Sequence, residues 1–152
     1  MPVILTTDSL DPAAEITRCQ AQQTSGAFGA RVDFTGYLRD FNEGRQVSSL
    51  FLEHYPGMTE KAMSEVCDRA RSRWPVQEIL LVHRVGNLLP GDPIVLITVW
   101  SIHRSDAFDA CRFLISELKR SVPLWKQERS REEEVWVARN TLDPNAPVLP
   151  DN

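Results

Sequence analysis

Lysine is scarce in this chain. Of 17 basic residues only Lys61, Lys119 and Lys126 are lysines, and the rest are arginines. Cysteine is as sparse, with Cys19, Cys67 and Cys111 standing 48 and 44 residues apart. That spacing excludes a disulfide framework and a thiolate zinc site, and it fits a reducing cytoplasm. Three scattered histidines offer no HExxH spacing, so neither a metal nor a cofactor is expected. Phosphate loops of the GxxxxGK[ST] or GxGxxG type are missing, as is a GxSxG nucleophile elbow. No apolar run approaches the ~20 residues that span a bilayer. Val3-Ile4-Leu5 is too short for a signal-peptide core, so neither membrane nor export is expected. Positive charge is not in excess either. With 21 acidic residues the net charge is −4, which excludes nucleic-acid binding through overall charge.

What is present reads as one α+β domain with three main helices and a mixed, largely antiparallel sheet. With 152 residues, 42% hydrophobic and 25% charged, the chain has the size and composition of a single folded domain. Val3 to Thr7 is a short strand. Asp11-Pro12 supplies an N-cap and a first-turn proline for a helix to about Gln23. Ala27 to Leu38 is a strand, Arg39 to Gln46 a polar loop, and Val47 to Tyr55 a returning hairpin strand. Thr59 is the expected N-cap of a second helix, with Ala62, Met63, Val66, Cys67, Ala70 and Trp74 on its buried stripe. Two strands follow, Val76 to Val85 and Pro93 to Ile102, joined by turns at Gly86 and Gly91. The second is apolar on both faces and is expected to be central. A third helix runs from an expected N-cap at Ser105 to Lys119 or Arg120, burying Phe108, Cys111, Ile115 and Leu118. Leu124 to Arg129 and Val135 to Ala138 read as short strands. Residues 1–140 form the expected domain. Residues 141–152, with prolines at 144, 147 and 150, form a tail expected to be disordered or laid on a partner.

Chemistry can sit in two places. His103-Arg104 stands where a strand meets a helix N-terminus, whose free N–H groups favour anions. The same dipeptide at His83-Arg84, inside a strand, shows that the pair also occurs without such a setting. Lys119 continues the edge of the third helix's apolar stripe, so it either snorkels to solvent or ends in a protected pocket. In a pocket, burial and neighbouring cations would lower its pKa. Residues 119–131 carry five basic groups and one acidic group, a local +4 interleaved with Pro123, Leu124 and Trp125. Nucleic-acid binding there lacks stacking aromatics beyond Trp125 and meets the acidic run Glu132-Glu133-Glu134.

Several segments together resemble the catalytic large subunit of molybdopterin synthase. They are Phe34-Thr35-Gly36-Tyr37-Leu38-Arg39, Leu52 through Ala62 (LEHYPGMTEKA), His83-Arg84-Val85-Gly86, Pro90-Gly91-Asp92, Ser101-Ile102-His103-Arg104-Ser105, and Leu118-Lys119 through Pro123-Leu124-Trp125-Lys126. The resemblance covers roughly residues 28–139. It implies a hammerhead-like α+β fold and an enzyme of molybdenum-cofactor biosynthesis. Such an enzyme is a homodimer, extended to a heterotetramer by two small ubiquitin-like sulfur carriers. Each carrier ends in a Gly-Gly thiocarboxylate, whose sulfur passes to cyclic pyranopterin monophosphate to build the molybdopterin dithiolene. Carried over by motif, Lys119 and Lys126 are the catalytic lysines. Tyr37, Leu38, Arg39, His103, Arg104, Gln127 and Glu128 bind substrate beside them, and Arg139 reaches a partner's site across the dimer. The competing reading is a non-catalytic adapter that docks a ubiquitin-like protein or a pterin.

Overall fold

A computed structural model of the chain describes residues 3–42, 44–129 and 134–137. Arg139 and the tail from 141 onward, both singled out above, lie outside the described residues. Ten strands and three helices are described. They are β1 (Val3–Thr6), α1 (Pro12–Ala21), β2 (Ala30–Tyr37), β3 (Phe41–Asn42), β4 (Arg45–Gln46), β5 (Ser49–His54), α2 (Met58–Arg73), β6 (Val76–Arg84), β7 (Gly86–Leu88), β8 (Pro93–Ser101), α3 (Arg104–Ser121), β9 (Leu124–Arg129) and β10 (Glu134–Val137).

Two four-stranded sheets organise the fold, in the orders β1-β6-β8-β2 and β10-β9-β5-β7, and β3 pairs with β4 as a separate hairpin. Only β1 and β6 run parallel among the described pairings. The apolar run of β8 lies between β6 and β2, paired on both edges, and a separate core covers each of its faces. On one face Ile79, Leu81, Ile97 and Val99 pack beneath α2 and α3 through Met63, Val66, Ala110 and Leu114. On the other, Leu80, Val82, Leu96 and Trp100 receive α1 through Ile16 and Cys19. Strand alternation sorts consecutive β6 residues into two different cores. A third cluster, Leu38, Val47, Leu50, Leu52 and Leu88, lines one face of the second sheet.

Several expectations change here. The strand after the polar loop does not return onto β2. As β5 it pairs with β7 and β9 in the other sheet, while β2 takes β8 as its partner. The loop itself holds β3 and β4. The turn-rich stretch after β6 contains β7, because Gly86 with φ 87° lets the chain swing from the first sheet into the second. Gly57, not Thr59, caps α2, and its N–H donates to the Glu60 carboxylate. Buried Thr59 instead accepts from the Tyr55 N–H and donates to the Pro123 carbonyl, both at 2.9 Å, which fastens the start of β9 to α2. The cap of α3 is His103 rather than Ser105. Phe108 is 62% exposed, because the buried stripe is turned by one residue onto Ala107, Ala110, Cys111, Leu114 and Leu118.

Candidate active site

The site forms where α3 ends and β9 begins. Glu117, buried on the last turns of α3, draws in Arg69 of α2 at 3.1 Å, Arg120 at 2.8 Å and the Ser121 hydroxyl at 3.0 Å. A buried carboxylate needs such donors, and here they pin the turn that carries Lys119. Two residues after α3, the bond from Thr59 holds Pro123, and β9 then runs beside β5. Register places Leu52 opposite Lys126 and Leu50 opposite Glu128. Residues directly opposite share a face, so Lys126 and Glu128 lie on the side of the sheet that bears the third apolar cluster.

That placement explains the electrostatics of Lys126. Its pKa falls to about 8, first by burial and then through the Lys119 charge and, more weakly, Arg39, with Glu128 opposing them. Arg39, Lys119, Lys126 and Glu128 therefore form one charged cluster. His83 belongs to it as well. It is 7% exposed, and its pKa falls to about 4, first by burial and then through Lys126 and Lys119, against a backbone bond to Arg84. Lys119 itself is exposed. Of the two outcomes open to it, solvent is the observed one, and the expected partial burial is found at Lys126. The long lysine stem on the last helical turn reaches water, whereas strand alternation turns Lys126 toward the core side.

The remaining candidates divide. Exposed Arg39 follows the end of β2, two residues after exposed Tyr37. The Leu38 side chain is 9% exposed within the third cluster, so it packs rather than faces a ligand. Gln127 lies between Lys126 and Glu128 and so occupies the opposite face of β9, across from Phe51. His103 and Arg104 are exposed at the N-terminus of α3. Fifteen residues of helix separate Arg104 from Lys119, about 22 Å. The sheet agrees, since Ser101 pairs at the Val76 end of β6 and Val95 at the His83 end, about 23 Å apart along the strand. Within one chain His103 and Arg104 do not join the lysines. His83 is the site residue that sequence reasoning passed over, although its two-residue spacing from Leu81, on the core-facing side of β6, was visible.

Thiol chemistry has no place in this arrangement. All three cysteines are buried, and burial raises Cys19 and pushes Cys67 and Cys111 up to about 11 and about 12. None is a ready thiolate. Among the described residues no group of three or more His, Cys, Asp or Glu side chains is arranged to hold a metal ion. No described helix is long and apolar enough to cross a membrane.

A two-sheet α+β fold that gathers a desolvated lysine, a second lysine and an arginine defines a protein with a cationic site suited to anionic groups. The chain belongs to the MoaE protein family, whose model matches residues 5–121. It is 46% identical over 138 residues to the molybdopterin synthase catalytic subunit of Pseudomonas aeruginosa, covering 91% of each chain. A solved structure described as a molybdopterin biosynthesis MoaE protein from Burkholderia ambifaria aligns at TM-score 0.78 and 42% identity, over 94% of each chain. The crystal structure of molybdopterin synthase from Staphylococcus aureus aligns at TM-score 0.80 and 30% identity, over 90% of this chain and 96% of that one.

Proposed function

We infer that this chain is the catalytic subunit of a molybdopterin synthase. It transfers sulfur from the C-terminal thiocarboxylate of a small ubiquitin-like carrier to cyclic pyranopterin monophosphate, in the cytoplasm. The observation that carries the reading is the cationic cluster around Lys126. Both reactants are anions, one a thiocarboxylate and the other a cyclic phosphate, so a site that takes both must be positive within an acidic protein. Sulfur enters on the carrier, which agrees with cysteines too buried to carry it. In the transfer a bond from the thiocarboxylate sulfur to a pterin carbon forms as a carbon–oxygen bond of the pterin breaks, and water takes the carrier's acyl group as its carbon–sulfur bond breaks, leaving a carboxylate.

The residues take distinct parts. Lys126, near pKa 8, is neutral in about one molecule in ten at pH 7, far more than a lysine in water, and serves as proton acceptor. Exposed Lys119 is the first amine that an incoming carrier tail meets, and it acts at the thiocarboxylate carbonyl. Arg39 and Tyr37 receive substrate at the rim, and Glu128 balances Lys126. His103 and Arg104 are anion ligands too, but their distance from Lys119 assigns them to a pocket shared with a second copy. Exposed Ile102 and Phe108 flank them and suit the homodimer that this requires. Arg139 is proposed for the same shared pocket. With a carrier at each end the assembly is a heterotetramer.

The test is single-turnover conversion of cyclic pyranopterin monophosphate by thiocarboxylated carrier. Lys119→Arg keeps the charge but removes the amine, and it should lose at least about a hundredfold in rate, nearly as much as Lys119→Ala, with carrier affinity little changed. Near-normal turnover in Lys119→Arg would reduce that residue to a source of charge and end its role as an amine.

A further inference from the structure

His83 is not used in the chemistry above, yet it is the most unusual polar group near it. The side chain is more than nine-tenths buried. It lies on the β6 face shared with Leu81 and, through register, with Leu5 and Val95. Leu118, Val122 and Leu124, the residues that flank Lys119 and precede Lys126, pack into that same core. His83 is thus beneath the segment that carries both lysines.

Its ring is also fixed in one state. Nδ1 lies 2.7 Å from the carbonyl oxygen of Arg84. A carbonyl only accepts, so Nδ1 carries the proton and donates. The neutral imidazole then keeps its lone pair on Nε2, the nitrogen away from the backbone. Among the described residues no donor meets Nε2. The carbonyl that fixes the tautomer is itself held, because the Arg84 guanidinium reaches Asp92 at 3.5 Å and the Asn87 carbonyl at 3.3 Å. The charged groups that face this corner are Lys119 from α3, Lys126 and Glu128 from β9, and Arg39 beyond β2. Lysine and arginine only donate, and the Glu128 carboxylate, the one anion of the group, opposes Lys126. His83 Nε2 is therefore the neutral acceptor in a pocket of cationic donors.

We propose that His83 reads the bound substrate: its Nε2 accepts a hydrogen bond from a ligand N–H that lies beside the anionic group held by Lys119 and Lys126. This rests on the sulfur-transfer reading above. The chemistry has two possible sources. An extended peptide C-terminus carries an amide N–H one residue from its terminal anion, and a pterin carries ring N–H groups. The contact selects for ligands that present donor and anion together, since a ligand without the donor displaces water from a largely buried ring and leaves its acceptor unpaired.

The experiment measures kcat and KM for both substrates in His83→Asn and His83→Gln, with thiocarboxylated carrier and cyclic pyranopterin monophosphate. Asn keeps a donor near the Arg84 carbonyl but withdraws the distal acceptor, and Gln restores an acceptor near the Nε2 position. His83→Asn should raise one KM about threefold to tenfold, with His83→Gln returning it to within about twofold of wild type and kcat little altered. A rise confined to the carrier assigns the peptide N–H, and a rise confined to the pterin assigns the ring N–H. Two unchanged KM values in folded His83→Asn, or a Gln variant as impaired as Asn, would overturn the proposal. His83→Phe, which fills the ring's volume without either nitrogen, gives the same readout if His83→Asn does not fold. Wild-type protein that makes no dithiolene would instead defeat the sulfur-transfer reading, independently of His83.

Discussion

The dipeptide His-Arg occurs twice, and the two copies have opposite fates. His83-Arg84 ends β6, where alternation turns the histidine into the core beneath α3 and the arginine to the other side, and both are nearly buried. His103-Arg104 starts α3, where both are exposed. In the first pair every assigned contact is internal: Nδ1 to a carbonyl, guanidinium to Asp92 and Asn87. In the second, the His103 side chain makes no capping bond. Residue identity therefore did not decide which pair is built into the molecule. The position of each relative to a strand paired on both edges, or to a helix start, decided it.

Three experiments sharpen that contrast. The largest effect belongs to Arg84→Ala, which removes a buried charge and leaves the Asn87 carbonyl and Asp92 without it. It should cost about 2–4 kcal/mol and lower Tm by roughly 5–15 °C, while Arg104→Ala should leave Tm within about 2 °C of wild type. Equal losses in thermal unfolding would erase the distinction.

The next concerns acid. Folded His83 titrates near 4 and unfolded histidine near 6.5. Between those values the unfolded chain binds the extra proton, so His83 supports the fold above pH 6.5 and that support is lost as pH falls toward 4. His83→Phe should flatten the stability curve over that window by about 2–3 kcal/mol. Urea unfolding at pH 6.5, 5 and 4 reads the difference. Smallest is the binding effect of Arg104→Ala. Loss of one charge-assisted contact should weaken binding of the phosphate-bearing substrate about tenfold, measurable by calorimetry on the assembled dimer. Unchanged affinity would remove Arg104 from the shared pocket.

Much of the architecture was legible from local signals. Asp11-Pro12 caps α1 as read, with Asp11 accepting from the Ala14 N–H at 3.2 Å. The doubly apolar run of β8 is central, and β9 and β10 fall where short strands were read. Long-range pairing was not legible. Leu50 and Leu52 alternate correctly, but alternation does not say which strand they face, so β5 was assigned to β2 instead of β9. That error hid the site, because only the register of β9 on β5 shows that Lys126 shares a side with Leu52. Lys119 and Lys126 were both visible as rare lysines in a basic segment. Their contrast in burial depends on a helix end and a strand face that meet only in three dimensions. Phe108 shows the same limit on a smaller scale, since a stripe misread by one residue still looks amphipathic.

The central claim is that a desolvated lysine works as a neutral amine, and the dependence of kcat/KM on pH tests it most directly, because that quantity reports the free enzyme. For wild type it should rise with pH through an apparent midpoint near 8, the value that burial and the Lys119 charge impose on Lys126. In Lys126→Arg, whose side chain cannot lose its proton in this range, the rising limb should vanish along with most of the rate. A wild-type profile that is flat from pH 6 to 9, or a Lys126→Arg enzyme that keeps both limb and rate, would contradict the account.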